Sequence, residues 1–330
     1  MIIESKTVGN ATFLMATNSV GMEVTLCDFG AGIYQIKLDG VPMVAGFKDY
    51  EAWMKDDAYH GKCVGRIAGR IPDGIVSFNG KSYQVSQNEG KKTLHGGKEG
   101  FSFRQFQMDM SNQKEGLIVD FYLTSDDLDQ GFPGEVSTRV RYIIPEKERR
   151  VRIEFKCVSS EETPMDLTIH TYFNLGAESS IKNDFLTIDA DQILTYNDDL
   201  TAKNYIDAPS FASLIEGKII NEVISNKYFA SNGGLDTAFH KNNRDKKVPQ
   251  VILENDRYTL YVRSSYDDVV IYTSNCGPFG QELSNGNLNA QHSSIAIEPE
   301  YEALDFARML VKKELPQRNF IEYEFDIKKE

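Results

Sequence analysis

Two neighbouring runs, STRVRYII (137–144) and RRVRIEFKCVSS (149–160), decide the fold class. In the first, Val140, Tyr142 and Ile144 alternate with Arg139 and Arg141. The second keeps the same two-residue period through Val151, Ile153, Phe155 and Cys157. Successive side chains of an extended strand point to opposite faces, so this pattern buries one face and solvates the other. Working outward, further strand candidates fall at residues 23–27, 33–38, 116–123, 258–263, 269–273, 294–297 and 321–327. Two hairpins carry their own turns: Asn79-Gly80 in VSFNGKSYQV and Asp39-Gly40 in IYQIKLDGVPMV. Both dipeptides suit a type I′ turn, whose central residues need positive φ. Helical signals are confined to short stretches within 210–224, interrupted by Gly217, and near 50–56. No internal repeat, low-complexity tract or linker divides the chain. The expectation is an all-β fold: one large, mostly antiparallel β domain over residues 1–330, a sandwich or a barrel, with few short helices.

Composition narrows the function classes. Hydrophobic residues make up 41% and charged residues 26% of the 330, which is ordinary globular usage. A net charge of -13 argues against a nucleic-acid surface, which needs clustered Lys and Arg. The amino terminus, MIIESKTV, lacks a signal-peptide apolar stretch, and no segment reaches the ~18 apolar residues of a membrane-spanning helix. Cys27, Cys63, Cys157 and Cys276 are far apart and form no CxxC pair, so neither a disulfide framework nor a zinc site is expected. Cys157 falls in phase with Val151, Ile153 and Phe155 and reads as a small buried hydrophobe. A reducing, cytoplasmic setting and a small-molecule partner fit best, with neither nucleic acid nor membrane as partner, and with a monomer or homodimer as the assembly.

The chemistry-bearing residues come from a short set. Histidine titrates near neutrality and is the commonest general acid or base. His95 lies in TLHGG, where two glycines permit a sharp turn beside an open cavity. His170 follows an apolar run in DLTIHTYFNL. Either would ordinarily be a satisfied structural histidine; His60, His240 and His292 read as surface or structural. No HxH, HExxH or Cys/His cluster offers metal ligands, and no phosphate loop or Gly-x-Ser-x-Gly elbow occurs. Gly277-Pro278-Phe279-Gly280 reads as a turn. Glu298 ends the apolar strand SIAIEPE before a proline, where a carboxylate can be held rigidly and partly desolvated, or can simply face water. Asp236 in GGLDTAF and Arg70 in GRIAGR are polar residues framed by glycine or apolar positions, credible as sugar contacts.

Six segments occur in order: GRIAGRI (65–71), TLHGG (93–97), GFPG (131–134), HTYFNL (170–175), Leu235-Asp236 and IEP (297–299). Together they resemble the aldose 1-epimerase (galactose mutarotase) family, over essentially the whole chain. The resemblance implies a large β-sandwich with a sugar cleft across one face. It implies that Glu298 is the general base, His170 the general acid and His95 a second active-site histidine. Arg70 and Asp236 would hydrogen-bond sugar hydroxyls, and neither a cofactor nor a metal is needed. Two departures bear on substrate. Gly69 stands where the family commonly has Asn before the arginine. Glu300, Tyr301 and Glu302 follow Pro299 where the family often has Gln, and residues 303–310 look more helical than usual.

The residue types suit the reaction so implied, which interconverts the anomers of free hexoses such as galactose and glucose. Opening a cyclic hemiacetal requires a proton to leave O1 while another reaches O5, so one base and one acid suffice. A histidine at its usual pKa of ~6.5 is about one quarter protonated at pH 7, and a nearby Glu298 carboxylate is expected to raise that share. Candidate aromatic contacts to the sugar are Phe101, Phe103, Tyr172 and Phe173. A relative acting on hexose 6-phosphates would gather an arginine cluster, for which Arg66, Arg70 and Arg104 are the available residues. A sugar-binding module would have no use for the acid–base pair. A glycoside hydrolase would use two carboxylates ~5–10 Å apart, such as Glu298 and Asp236, and would leave the histidines without a role.

Overall fold

A computed structural model describes residues 1–328 except Ala177, Asn243, Arg244, Pro278 and Leu304. The two deciding runs form adjacent antiparallel strands, Val136–Pro145 and Arg150–Ser159, in register from Val136 opposite Ser159 to Ile143 opposite Arg152. They sit inside a nine-stranded sheet that continues through Gln317–Ile327 and Tyr258–Ser264. Val140, Tyr142, Ile144, Val151 and Ile153 are fully buried on its inner face, and Cys157 joins them. The outer face carries a charge ladder, with Arg141 bidentate to Asp120 at 2.8 Å and Arg263 2.6 Å from Glu324. Facing positions in neighbouring strands thus supply both core and solvated surface.

A five-stranded sheet is built from the amino-terminal residues, and a six-stranded sheet holds Ile295–Glu300, Asp268–Tyr272, Asp236–Lys241 and Ala190–Tyr196. One continuous apolar core draws on all three sheets, including Leu14, Val24, Val140, Phe239, Ile271 and Ile297. This is the large antiparallel β-sandwich that the family resemblance implies, one of the two architectures the alternation leaves open. Both hairpin turns have the anticipated geometry, with φ +49° at Asp39 and Asn79 and +83° and +73° at the glycines that follow.

Helices are short, as expected: Tyr50–Lys55, Ile220–Ile224, Lys227–Ala230 and Phe306–Met309 among the described residues. Residues 210–217 are turn and loop rather than helix, and Lys218–Ile219 pairs as a strand. Of the turn read at 277–280, Pro278 lies outside the described residues, as does Leu304 in the segment 303–310. No described helix is long and apolar enough to cross a membrane.

One strand differs from its sequence reading in a way that matters. The strand was expected to end at Glu298, yet it runs on through Pro299 to Glu300. Pro299 cannot donate a hydrogen bond, so a central position would be excluded. Ile297, two residues earlier, sends its N–H toward Thr171 rather than toward the Asp268–Tyr272 strand. The nitrogen of Pro299 faces that same side, where strand pairing has already ceased. The proline costs no ladder bond, and Glu298 is therefore a mid-strand residue opposite Val270.

Candidate active site

The cleft lies on the outer face of the six-stranded sheet. Alternation sends Ile295 and Ile297 into the core and Glu298 and Glu300 outward. Asp236 and Val270 reach the same face from their neighbouring strands. A cavity of ≈ 580 Å³ opens here, and Arg70, His95, His170, Asp236 and Glu298 all line it. The five residues expected to form a site are thus brought together from segments more than two hundred residues apart.

His170 is fixed by its neighbours on every side. Its N–H donates to Lys62 O at 3.0 Å, and its carbonyl accepts from Gly61 N–H at 2.7 Å. The ring is sandwiched between Tyr172, 4.9 Å away at 27°, and Tyr59, 5.9 Å away at 26°. Behind Tyr172, His60 stacks at 4.0 Å and its Nδ1 lies 3.1 Å from the Asp56 carboxylate. His60 is therefore a buried, structural histidine. His240 bonds Asp268 at 2.7 Å and His292 bonds Thr273 O at 2.9 Å, both apart from the His95, His170 and Glu298 group.

His95 owes its position to a turn. It has φ +51° and precedes Gly96 at +87°. A Cβ on Gly96 would lie 1.9 Å from Gly65 O, so only glycine permits this close backbone crossing. The Gly69 N–H donates to His95 Nδ1 at 3.3 Å, which leaves the proton of the neutral ring on Nε2. Burial, and then His170 and Arg70, hold His95 well below the usual histidine pKa. It is a neutral hydrogen-bond donor in the cleft.

Nε2 of His170 lies 3.2 Å from Oε2 of Glu298. The contact is close but poorly aligned: Oε2 of Glu298 and Nδ1 of His170 are buried without a hydrogen-bond partner. Orphaned polar atoms of this kind mark a site awaiting a ligand. The protonation of the pair departs from the sequence expectation. Glu298 was expected to raise the charged share of His170, but burial, with His60 adding to it, pulls His170 down to about 3. Burial also pushes Glu298 well above the usual carboxylate range, with Asp236 adding to it and Arg70 opposing. Desolvation thus disfavours the imidazolium and the carboxylate alike.

Arg70 clasps Glu89 through Nε at 2.9 Å and Nη2 at 3.2 Å, and its Nη1 is 3.8 Å from Asp236. Burial works against its charge, but Glu89 and Asp236 hold its pKa above the usual value. Arg66 instead anchors a loop through Ser125 and the carbonyls of Asp126 and Pro133. Arg104 pairs with Asp129 at 2.9 Å. Among the described residues, Arg66, Arg70 and Arg104 do not gather into the arginine cluster that a phosphate would require.

Of the aromatic candidates, Tyr172 lines the cavity, whereas Phe101 and Phe173 are core residues and Phe103 is not part of the lining. Tyr59, Tyr196, Tyr272 and Tyr301 line it instead, and Glu89 was likewise not anticipated. Their local sequence offers only ordinary strand and loop residues. His95, His170 and Glu298 also present donor atoms within 4.8 Å of one another, a set able to hold a divalent ion. No spacing motif announces it, because each donor comes from a different part of the chain.

The aldose 1-epimerase family model matches residues 13–312. The chain is similar to the aldose 1-epimerase of Haemophilus influenzae, 32% identical over 295 residues covering 85% of this chain and 84% of that one. It is 36% identical to the aldose 1-epimerase of Escherichia coli over 187 residues, a match spanning 55% of this chain and about half, 53%, of that relative. Among solved structures, galactose 1-epimerase from Lactobacillus acidophilus superposes with a TM-score of 0.88 at 23% identity, covering 98% of this chain and 97% of that one. An aldose epimerase homologue from C. elegans gives 0.87, again at 23% identity, over 97% and 100% of the two chains. These two share the fold. The extent of the family match, together with the H. influenzae relative, shows that the chain belongs to the aldose 1-epimerase family.

Proposed function

We propose that the chain is an aldose 1-epimerase acting on free hexoses such as galactose and glucose. The observation that carries this reading is the desolvated His170–Glu298 pair, 3.2 Å apart, with neutral His95 on the same cavity wall. Anomerisation needs one mobile proton and two places to put it, which is what this pair provides. With the proton on Glu298, the carboxyl donates to O1 of the open-chain aldehyde while His170 accepts the 5-hydroxyl proton, and the ring closes. With the proton shifted to His170, the carboxylate takes the O1 proton, the imidazolium protonates O5, and the ring opens. Nε2–H of His95 stabilises negative charge developing on oxygen. Rotation of the aldehyde between the two steps exchanges the anomers.

An acidic cleft supports the free sugar over its phosphate. Among the described residues, Asp236, Asp268, Glu298 and Glu300 line it against one guanidinium, that of Arg70, already paired with Glu89. Polarimetry on fresh α-D-galactose, α-D-glucose and glucose 6-phosphate tests the proposal. Fast relaxation of the free hexoses is expected. Relaxation of the phosphate alone would favour the alternative hexose-6-phosphate epimerase, and none at all would favour a sugar-binding protein.

A further inference from the structure

Glu300 lies two residues beyond Glu298 on one strand, so both side chains leave the same face, ~6.5 Å apart along it. Each row of the cleft floor can be read from the register. Glu298 pairs with Val270, which pairs with Ala238; Glu300 pairs with Asp268, which pairs with His240. A small apolar row therefore lies beside Glu298, and a polar row lies next to it. Within that polar row Asp268 is occupied, by His240 Nδ1 at 2.7 Å and by the Tyr205 hydroxyl. Glu300 is not. It is 5% exposed and lines the cavity, yet among the described residues its carboxyl makes no hydrogen bond or ion pair.

Unlike Oε2 of Glu298, the Glu300 oxygens are not sealed from the cleft, so a ligand entering it can bond them. Gly69 gives an independent indication. With φ +72°, a Cβ there would point at Oε2 of Glu300, 3.5 Å away, and would meet nothing else within 4 Å. The absence of a side chain at position 69 leaves the Glu300 carboxyl open to the cleft.

We propose that Glu300 is a substrate-binding residue that hydrogen-bonds an aldose hydroxyl remote from C1, and so helps to set which aldoses the cleft accepts. This rests on the epimerase reading. The ~6.5 Å offset from Glu298 places the carboxyl across the ring from the reacting carbon, where sugars differ in the orientation of their hydroxyls.

The test is steady-state kinetics of wild type, Glu300→Gln and Glu300→Ala on galactose and its 2-, 3-, 4- and 6-deoxy analogues, with melting curves alongside. Glu300→Ala should raise KM for galactose on the order of ten- to a hundred-fold. That penalty should vanish on one remote deoxy analogue, Glu300→Gln should keep most of the affinity, and neither variant should melt below wild type. A KM penalty equal on every analogue, an unchanged KM, or a lower melting temperature without a KM effect would overturn the assignment. If wild type turns over no sugar, the epimerase reading fails separately. Calorimetric titration with galactose then decides on Glu300 alone: weaker binding by Glu300→Ala supports it, and equal binding overturns it.

Discussion

Replacing Glu298 with glutamine should lower activity and raise stability, and the two effects can be measured on one sample. Glu298 is 2% exposed, its Oε2 lacks a hydrogen-bond partner, and burial holds its carboxyl well above the usual range. A carboxyl with a raised native pKa binds more protons folded than unfolded. Its contribution to stability therefore falls as pH climbs from the unfolded value, ~4.3, toward the native one. Each pH unit in that window costs about 1.4 kcal/mol. Glutamine does not titrate, so on going from pH 5 toward pH 7 the variant's Tm should rise relative to the wild type, at that rate per pH unit for as long as the pH stays below the native pKa. Over the same interval its kcat should lie ~10²–10⁴-fold lower, the usual contribution of a positioned acid or base. Scanning calorimetry at the two pH values, with anomerisation rates on the same samples, gives both numbers. A Tm difference that does not change with pH would refute the buried, protonated carboxyl, and retained activity would refute its role in proton transfer.

The imidazole resonances of His170 should show no titration near pH 6.5, because burial takes the ring down to about 3; an NMR titration at 6.5 would mean a solvated imidazole. Gly96→Ala places a Cβ 1.9 Å from Gly65 O, whereas Gly80, at φ +73°, meets nothing within 4 Å. Gly80→Ala should cost only the ~1–2 kcal/mol of a left-handed residue and spare activity, and Gly96→Ala should cost over ~3 kcal/mol and displace His95. Equal melts and equal rates for the two would count against the turn's role. Arg70→Lys loses the two-pronged grip on Glu89 and should raise KM about tenfold with a smaller change in kcat; an unchanged KM would place Arg70 outside substrate binding.

Much of the fold was legible because the alternation around Val140 and Ile153 leaves one face for burial, and because Asn79-Gly80 and Asp39-Gly40 specify their turns. What the pattern could not reveal was the course of the strand at Pro299. Proline reads as a stop unless its nitrogen faces an unpaired side, and that depends on which strand lies beyond. At the site, the histidine turn before Gly96 and the polar residues in apolar frames were visible locally. Their convergence was not, since residues 70, 95, 170, 236 and 298 meet only through sheet pairing, and the grouping came from the family resemblance. The protonation of His170 is hidden from the sequence for a related reason: the neighbouring carboxylate can be anticipated, whereas the desolvation by Tyr59, Tyr172 and the core behind them cannot. Glu300 stood out only as a departure, and its unpartnered carboxyl became meaningful once Gly69 was found facing it.

The most direct measurement is NMR exchange between the anomeric protons of galactose at equilibrium, with wild type, His170→Asn and Glu298→Gln. Wild type should speed the α–β exchange without changing the anomer ratio, and either substitution should return it close to the rate in buffer. Exchange no faster than buffer with wild type, or undiminished in both variants, would contradict it.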